Sequence, residues 1–318
     1  MRMTFTLDPQ VAAALAPIMA ATEGVDPPKA GDVATRRENA EGLFGLITAG
    51  LPANDQVTRT AHTTAAEDGT ELALTWFAPP GQASGSAALY IHGGGMIFGN
   101  LTQYDPIVAR YVADSGVPLL AVEYRLAPEH QDPTPVEDCY AGLRYLADHA
   151  AELGVDPARI GVMGDSAGGG LSAGVTLLAH DRGGPAIAQQ ILIYPMLDDR
   201  NTTPDPEIAP MAVWTYDDNI TGWDSLLGDK AGGESVSVYA APARREDLAG
   251  LPPTYIDVGE IDIFRDEDMH YASRLSAAGV PVELHLHPGA PHAFEGLAPM
   301  SDVGLRAVAD RVRRLRSL

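Results

Sequence analysis

The sequence predicts an α/β fold in which a mostly parallel central sheet is flanked by helices. Short apolar runs, each suited to a strand buried on both faces, alternate along the chain with longer amphipathic helical patterns. The chain of 318 residues is long enough for one large domain of this kind, and its charged fraction of 20% is normal for a globular protein.

The chain begins with predicted helices. In the first helix, Asp8 is the predicted N-cap and Pro9 is the predicted first helical residue. An apolar stripe follows them. A second helix is predicted over residues 34–46. Residues 57–64 and 71–77 then alternate in polarity or are β-branched, which predicts a hairpin with its turn at Glu67-Asp68-Gly69.

The parallel sheet is predicted from the runs that come after this hairpin. The predicted strands are residues 87–91, 118–124, 160–163, 188–194, 254–258 and 282–287. The predicted helices among and after them are residues 136–153, 167–180, 266–278 and 303–315.

Two stretches interrupt this alternation, residues 1–50 and residues 198–251. The second contains Trp214 and Trp223, two of the three tryptophans in the chain. We predict that both stretches form one helical cap over the carboxyl edge of the sheet, where open α/β sheets bind ligands. Residues 51–197 and 252–318 then form the catalytic core. The alternative is a satellite apolar cluster that contacts no substrate.

The amino-acid composition limits which binding partners and which cellular location we predict for this protein. A formal net charge of −22 disfavours nucleic acids and anionic membrane surfaces as partners. The single cysteine, Cys139, allows no intrachain disulfide, and the N-terminus lacks the pattern of a signal peptide. These features predict a cytoplasmic protein.

The segment Gly164-Asp165-Ser166-Ala167-Gly168 joins a predicted strand to a predicted helix. A nucleophilic serine on such a tight turn needs small neighbours, which the glycines provide. Gly170-Leu171-Ser172-Ala173-Gly174 matches the same pattern, but Ser172 falls inside the helix. Ser166 is therefore the predicted nucleophile.

A serine hydroxyl needs a base, and the base needs an acid that orients it. His292 lies in a loop directly after the last predicted strand, at the edge where a nucleophile turn opens. Asp262 lies in the loop after the preceding strand and is the preferred acid, with Glu260 as the alternative. The chain order Ser166, Asp262, His292 is that of the α/β-hydrolase fold.

The glycines of His92-Gly93-Gly94-Gly95 follow a predicted strand and allow close approach of the backbone to a substrate. The N–H groups of Gly93, Gly94, Gly95 and Ala167 are the predicted oxyanion hole. A phosphate-binding loop is the competing interpretation, but no lysine follows this run.

Four motifs together resemble those of the hormone-sensitive lipase-like family of bacterial esterases. They are residues 92–95 (HGGG), 124–130 (YRLAPEH), 164–169 (GDSAGG) and 262–267 (DIFRDE). The resemblance extends from about residue 50 to the end of the chain, and it departs at Ile263, where the family usually has proline. It implies the same roles for Ser166, Asp262 and His292, a helical cap, and a homodimer formed through the last strand and helix.

The resemblance implies a carboxylesterase that acts on small, short-chain acyl esters through an acyl-enzyme. An amidase, a lactonase or a carbamate hydrolase with the same triad stays open. A non-catalytic receptor, like the gibberellin receptors that resemble this family, is a remote alternative because those receptors lack the catalytic histidine. No metal and no cofactor are predicted. The predicted pocket walls are Met96, Phe98, Tyr194, Trp214 and Phe294.

Overall fold

The computed structural model describes residues 5–22, 24–81 and 85–318, which contain one sheet of eight strands. The strands are β1 (Thr58–Ala65), β2 (Glu71–Ala78), β3 (Ala87–Ile91), β4 (Leu119–Val122), β5 (Ile160–Asp165), β6 (Gln190–Ile193), β7 (Thr254–Gly259) and β8 (Val282–His287). Their order across the sheet is β1-β2-β4-β3-β5-β6-β7-β8.

The sheet is mostly parallel, as predicted. β1 and β2 form the predicted antiparallel hairpin, and β2 pairs antiparallel with β4. All the other neighbouring strands are parallel. In the hairpin turn the Ala66 N–H donates to the Thr70 carbonyl at 2.8 Å, and Gly69 has a φ of 82°, a conformation that favours glycine.

Helices cover both faces of the sheet. They are α1 (Pro9–Ala21), α2 (Val33–Thr48), α3 (Leu101–Ser115), α4 (Thr134–Asp148), α5 (Ala167–Arg182), α6 (Tyr216–Leu227), α7 (Arg265–Ala277), α8 (Phe294–Leu297) and α9 (Asp302–Arg316). Successive residues of β3 divide between two core clusters. Leu89 packs with α4 and α5, whereas Tyr90 packs with α3 and α9. None of the described helices is both long and apolar enough to cross a lipid bilayer.

The helix α3 is absent from the elements that the sequence predicts. The Asn100 side chain caps it by accepting the Gln103 N–H, and Gly116 ends it with a φ of 73°. Pro106 lies inside the helix and removes one backbone donor, which masks the helical pattern in the sequence.

The two segments predicted to form a cap contact each other. The Arg36 Nε on α2 donates to Asp218 Oδ1 on α6 at 2.8 Å. The Gly31 N–H donates to Thr221 Oγ1 at 2.9 Å. Residues 1–4 and residue 23 of the first segment lie outside the described residues.

One acidic side chain on α7 is buried without compensation. Asp268 is fully buried, and neither carboxyl oxygen has a hydrogen-bond partner among the described residues. Burial, and after it the negative charge of Glu267, raises the pKa of Asp268 well above its ordinary value. This carboxyl group therefore opposes folding whenever it must ionise.

We expect Asp268→Asn to stabilise the protein at about pH 8. The folded chain holds the Asp268 proton more tightly than the unfolded chain does. The contribution of this residue to the free energy of unfolding is therefore fully present below the ordinary carboxyl pKa and is lost as the pH rises through the raised pKa. The neutral Asn escapes that loss, so the gain should be about 1–3 kcal/mol at high pH and should shrink as the pH falls to about 4.

Urea denaturation at both pH values measures this difference. Asp266→Asn, at an exposed position of the same helix, is the matched control. A variant at position 268 no more stable than the wild type at about pH 8 would contradict the expectation.

Candidate active site

Ser166 occupies the turn between β5 and α5 with strained backbone angles, a φ of 55° and a ψ of −122°. The turn is tight enough to exclude side chains at two neighbouring positions. A Cβ on Gly164 would overlap the carbonyl oxygen of Gly168, and a Cβ on Gly168 would overlap that of Ile91. The sequence Gly-x-Ser-x-Gly is thus a steric requirement of this turn.

The structure brings the three residues predicted as a triad within hydrogen-bonding distance. His292 Nε2 lies 3.0 Å from Ser166 Oγ, and His292 Nδ1 lies 2.7 Å from Asp262 Oδ2. The second oxygen, Asp262 Oδ1, accepts the Phe264 N–H at 3.0 Å. All three side chains of the triad are buried. The arrangement can carry a proton from the hydroxyl to an imidazole whose orientation the carboxylate holds.

The competing candidates have other partners. Glu260 Oε2 accepts the N–H of Gly289, at 3.0 Å, in the loop that precedes His292. Ser172 lies in the interior of α5, fully buried, and its hydroxyl has no hydrogen-bond partner among the described residues. Glu260 therefore holds the histidine loop, and Ser172 belongs to the core.

A buried network supports His292 from the side. The Tyr194 ring packs edge-on against the imidazole, with the centroids 4.6 Å apart, and its hydroxyl donates to Glu295 Oε1 at 2.7 Å. Arg311 is fully buried and pairs with both Glu295 and Asp257, at 2.5 and 2.6 Å. Burial alone would raise the pKa of Glu295, but the charge of Arg311 and the Tyr194 hydroxyl lower it below its ordinary value.

The four predicted oxyanion donors differ in their surroundings. The Gly93 N–H donates to the Tyr104 hydroxyl at 3.0 Å, so it is already used within the protein. Gly94 and Gly95 have φ values of 108° and 58°. Ala167 is the first residue of α5, so its N–H has no acceptor within the helix.

Asp165, next to the nucleophile, is held by two tyrosines. The Tyr90 and Tyr104 hydroxyls donate to its two oxygens, each at 2.8 Å. Burial raises the pKa of Asp165, and the two hydroxyls only partly oppose that effect. The Tyr104 hydroxyl thereby links the glycine loop to the serine turn.

A cavity of about 110 Å³ opens onto Ser166 and His292. Of the predicted wall residues, Phe98, Tyr194 and Trp214 line it. The prediction for Met96 and Phe294 is wrong, because both side chains are buried in the core and neither lines the cavity. The side chain of a residue that lines the cavity has to point away from the core. Closeness in sequence to the site does not determine the direction of a side chain.

Much of the remaining lining comes from three helices, of which only α2, as part of the predicted cap, was connected with the site by the sequence analysis. These residues include Leu43, Phe44 and Ile47 of α2, Ile107, Arg110 and Tyr111 of α3, and Val308 of α9. The spacing of Tyr104, Ile107 and Tyr111 would have indicated one face of a helix. It would not have indicated what that face covers.

The described residues contain one group of three potential metal ligands, Glu283, His285 and Asp310, whose ligand atoms lie within 4.8 Å of one another. Arg313 forms ion pairs with both carboxylates of this group. A second cation, Arg314, lies 3.7 Å from Glu283, so two arginines face the two carboxylates, and we assign these residues to an ion-pair network.

Three comparisons with known proteins identify the family of this chain. A family profile described as an α/β-hydrolase fold matches residues 88–296. Esterase LipI of Mycobacterium tuberculosis is 37% identical over 220 residues, which cover 69% of this chain and 68% of that protein. Carboxylesterase NlhH of the same species is 39% identical over 213 residues, 66% of each chain. The alignments thus span about two thirds of these relatives. A solved bacterial heroin esterase superposes with a TM-score of 0.88 and 40% identity over 98% of both chains.

The fold and these matches define an α/β-hydrolase, as the motif order predicted. The chain belongs to the hormone-sensitive lipase-like carboxylesterase family, and it is an enzyme of the ester-hydrolase class.

Proposed function

We propose that this protein hydrolyses small, short-chain acyl esters through a triad of Ser166, His292 and Asp262 and an acyl-enzyme intermediate. The observation that carries the proposal is the continuous hydrogen-bonded series from Ser166 Oγ through both ring nitrogens of His292 to Asp262. The names of the relatives, esterase and carboxylesterase, favour esters over amides.

In acylation, Ser166 Oγ attacks the ester carbonyl carbon while His292 Nε2 accepts its proton. Asp262 stabilises the resulting imidazolium through Nδ1. His292 then returns the proton to the alkoxide oxygen, and the alcohol leaves. In deacylation, water takes the place of the alcohol, and His292 repeats both proton transfers to release the acid and free Ser166.

The tetrahedral intermediates carry a negative oxygen that needs hydrogen-bond donors. Because Tyr104 already accepts the Gly93 N–H, we propose Gly94, Gly95 and Ala167 as the donors. Gly93 then has a positioning role, since its bond to Tyr104 holds the start of the glycine loop against Asp165.

We also propose that the segments 1–50 and 198–251 act as one cap that limits the size of the substrate. Trp214 from the second segment and Phe44 from the first line the cavity together. A Cβ on Gly95 would lie 2.5 Å from the Trp214 ring, so the cap packs tightly on the glycine loop. Each CH₂ group of an acyl chain gains about 0.8 kcal/mol on burial until such a pocket is full.

Replacement of the nucleophile tests the triad. We expect Ser166→Ala to lower kcat for p-nitrophenyl butyrate on the order of 10⁶-fold, because the triad residues act as a unit. Ser172→Ala is the matched control, and it should keep wild-type turnover because it only removes a buried hydroxyl that has no hydrogen-bond partner in the described part of the chain. Similar losses in both variants, measured by release of p-nitrophenol, would contradict the assignment.

Crowding of the glycine loop tests the oxyanion hole. A Cβ on Gly94 would overlap the Phe98 carbonyl, so Gly94→Ala should displace the donors and lower kcat/KM roughly 100- to 1000-fold. Gly69→Ala shares the positive φ but meets no atom within 4 Å. It should cost about 1–2 kcal/mol of stability with turnover unchanged. Wild-type kcat/KM in a folded Gly94→Ala variant would contradict the expectation that crowding at this position displaces the donors.

We propose a homodimer formed through β8 and α9, as the family resemblance implies. β8 is an edge strand, and Leu284 and Leu286 on it and Leu305 on α9 are exposed. Sedimentation velocity should give the mass of a dimer for the wild type and that of a monomer for Leu286→Asp. A monomeric wild type at micromolar concentration would contradict this proposal.

A further inference from the structure

Arg110 on α3 lines the same cavity as Ser166 and His292. Of the described residues that line the cavity, most of them apolar, it is the only arginine or lysine. Only 18% of its side chain is exposed, so the guanidinium group has lost much of its contact with bulk water.

The protein provides little compensation for this buried cation. Among the described residues Arg110 makes no side-chain hydrogen bond, and its one ion pair, Nε to Asp114 Oδ2, is long at 3.6 Å. Asp114 is itself 49% exposed. Two other described arginines, Arg144 and Arg306, also make no side-chain hydrogen bond, but both are exposed to solvent. Of these three arginines, Arg110 is the one that is partly buried. Burial of a guanidinium group without a hydrogen-bond acceptor costs free energy.

The carboxylates that line the cavity already have partners. Asp165 accepts from Tyr90 and Tyr104. Glu295 Oε1 is paired with Arg311, whereas Glu295 Oε2 has no hydrogen-bond partner among the described residues. Among the described residues neither forms an ion pair with Arg110, so its guanidinium group is available to an acceptor on a ligand in the cavity.

The spacing along α3 separates the backbone position of Arg110 from that of Tyr104, which contacts the neighbours of Ser166. The Tyr104 hydroxyl lies beside Gly93 and Asp165, which adjoin Ser166. Arg110 is six residues further along the same helix, roughly 9 Å at 1.5 Å per residue. Ile107 lies between these two positions and lines the cavity. A ligand that spans this distance needs an apolar middle and an acceptor at its far end.

We propose that Arg110 is a specificity-determining residue that selects esters with a carboxylate at the end remote from the reacting carbonyl. Monoesters of dicarboxylic acids with a chain of several carbons have this form. A carboxylate can accept two parallel N–H bonds from the guanidinium. This inference rests on the proposed esterase function and adds to it the class of substrate.

Matched substrate pairs test the proposal. One pair is mono-p-nitrophenyl adipate and its neutral methyl ester, which places the charge on the acyl side. The other pair is 6-butyryloxyhexanoate and its methyl ester, which places the charge on the alcohol side. The quantity compared is the kcat/KM of the charged ester divided by that of its neutral partner. In Arg110→Met this ratio should fall roughly 10- to 100-fold for the pair whose charged end, acyl or alcohol, faces Arg110. Arg110→Lys should keep part of the preference, and salt should weaken the preference in the wild type.

Arg306→Met removes one exposed arginine outside the cavity and should leave both ratios at the wild-type value. Equal changes for charged and neutral esters in Arg110→Met would mean that only the aliphatic stem matters, and this would overturn the proposal. Wild-type ratios in Arg110→Met would also overturn it. If the wild type hydrolysed none of the esters, or Ser166→Ala hydrolysed them equally well, the proposed esterase function itself would fail.

Discussion

The active site depends on the backbone of one residue, Ser166, which is held in a strained conformation between a strand and a helix. Such a conformation costs on the order of 1–3 kcal/mol and persists only where the surroundings determine it. Here β6 and the segment after it bind the residue on both sides. The Ser166 N–H donates to the Ile193 carbonyl at 2.8 Å, and the Ser166 carbonyl accepts the Met196 N–H at 2.9 Å. Because Gly164 and Gly168 have no Cβ atom, the neighbouring backbone segments can pack closely around the turn.

The position of His292 depends on charged side chains around the loops that follow β7 and β8, at the same edge of the sheet as Ser166. β7 and β8 are adjacent and parallel, so the loops after them emerge side by side and present Asp262 and His292 to each other. The histidine loop is then bound on both sides of the imidazole. Glu260 accepts a backbone N–H before it, and Glu295 pairs with the fully buried Arg311 after it. A charge as deeply buried as Arg311 is tolerated because two carboxylates neutralise it.

Local sequence patterns predicted most of the fold. Apolar runs located the strands, because a strand buried on both faces needs apolar residues along its whole length. The residues predicted as a triad are also brought together, since each follows a strand of one parallel sheet and the carboxyl ends of those strands share one edge. α3 was not predicted, because Pro106 and the polar residues of its first turns hide the helical pattern. Met96 and Phe294 were misassigned, because proximity in sequence to the glycine loop and to His292 does not determine which side chains face the cavity.

The sequence by itself determined the class of the protein, its strands and the order of its reactive residues. These properties are local, since they depend on the spacing of apolar residues and on small residues at a tight turn. Only the tertiary structure decided that the Gly93 N–H of the glycine loop is already bound, because the Tyr104 hydroxyl from α3 accepts it. It also decided the walls of the cavity, where α2, α3 and α9 meet, and the burial of Arg110 among them. Side chains from distant segments come together there through packing, and no local pattern encodes that packing.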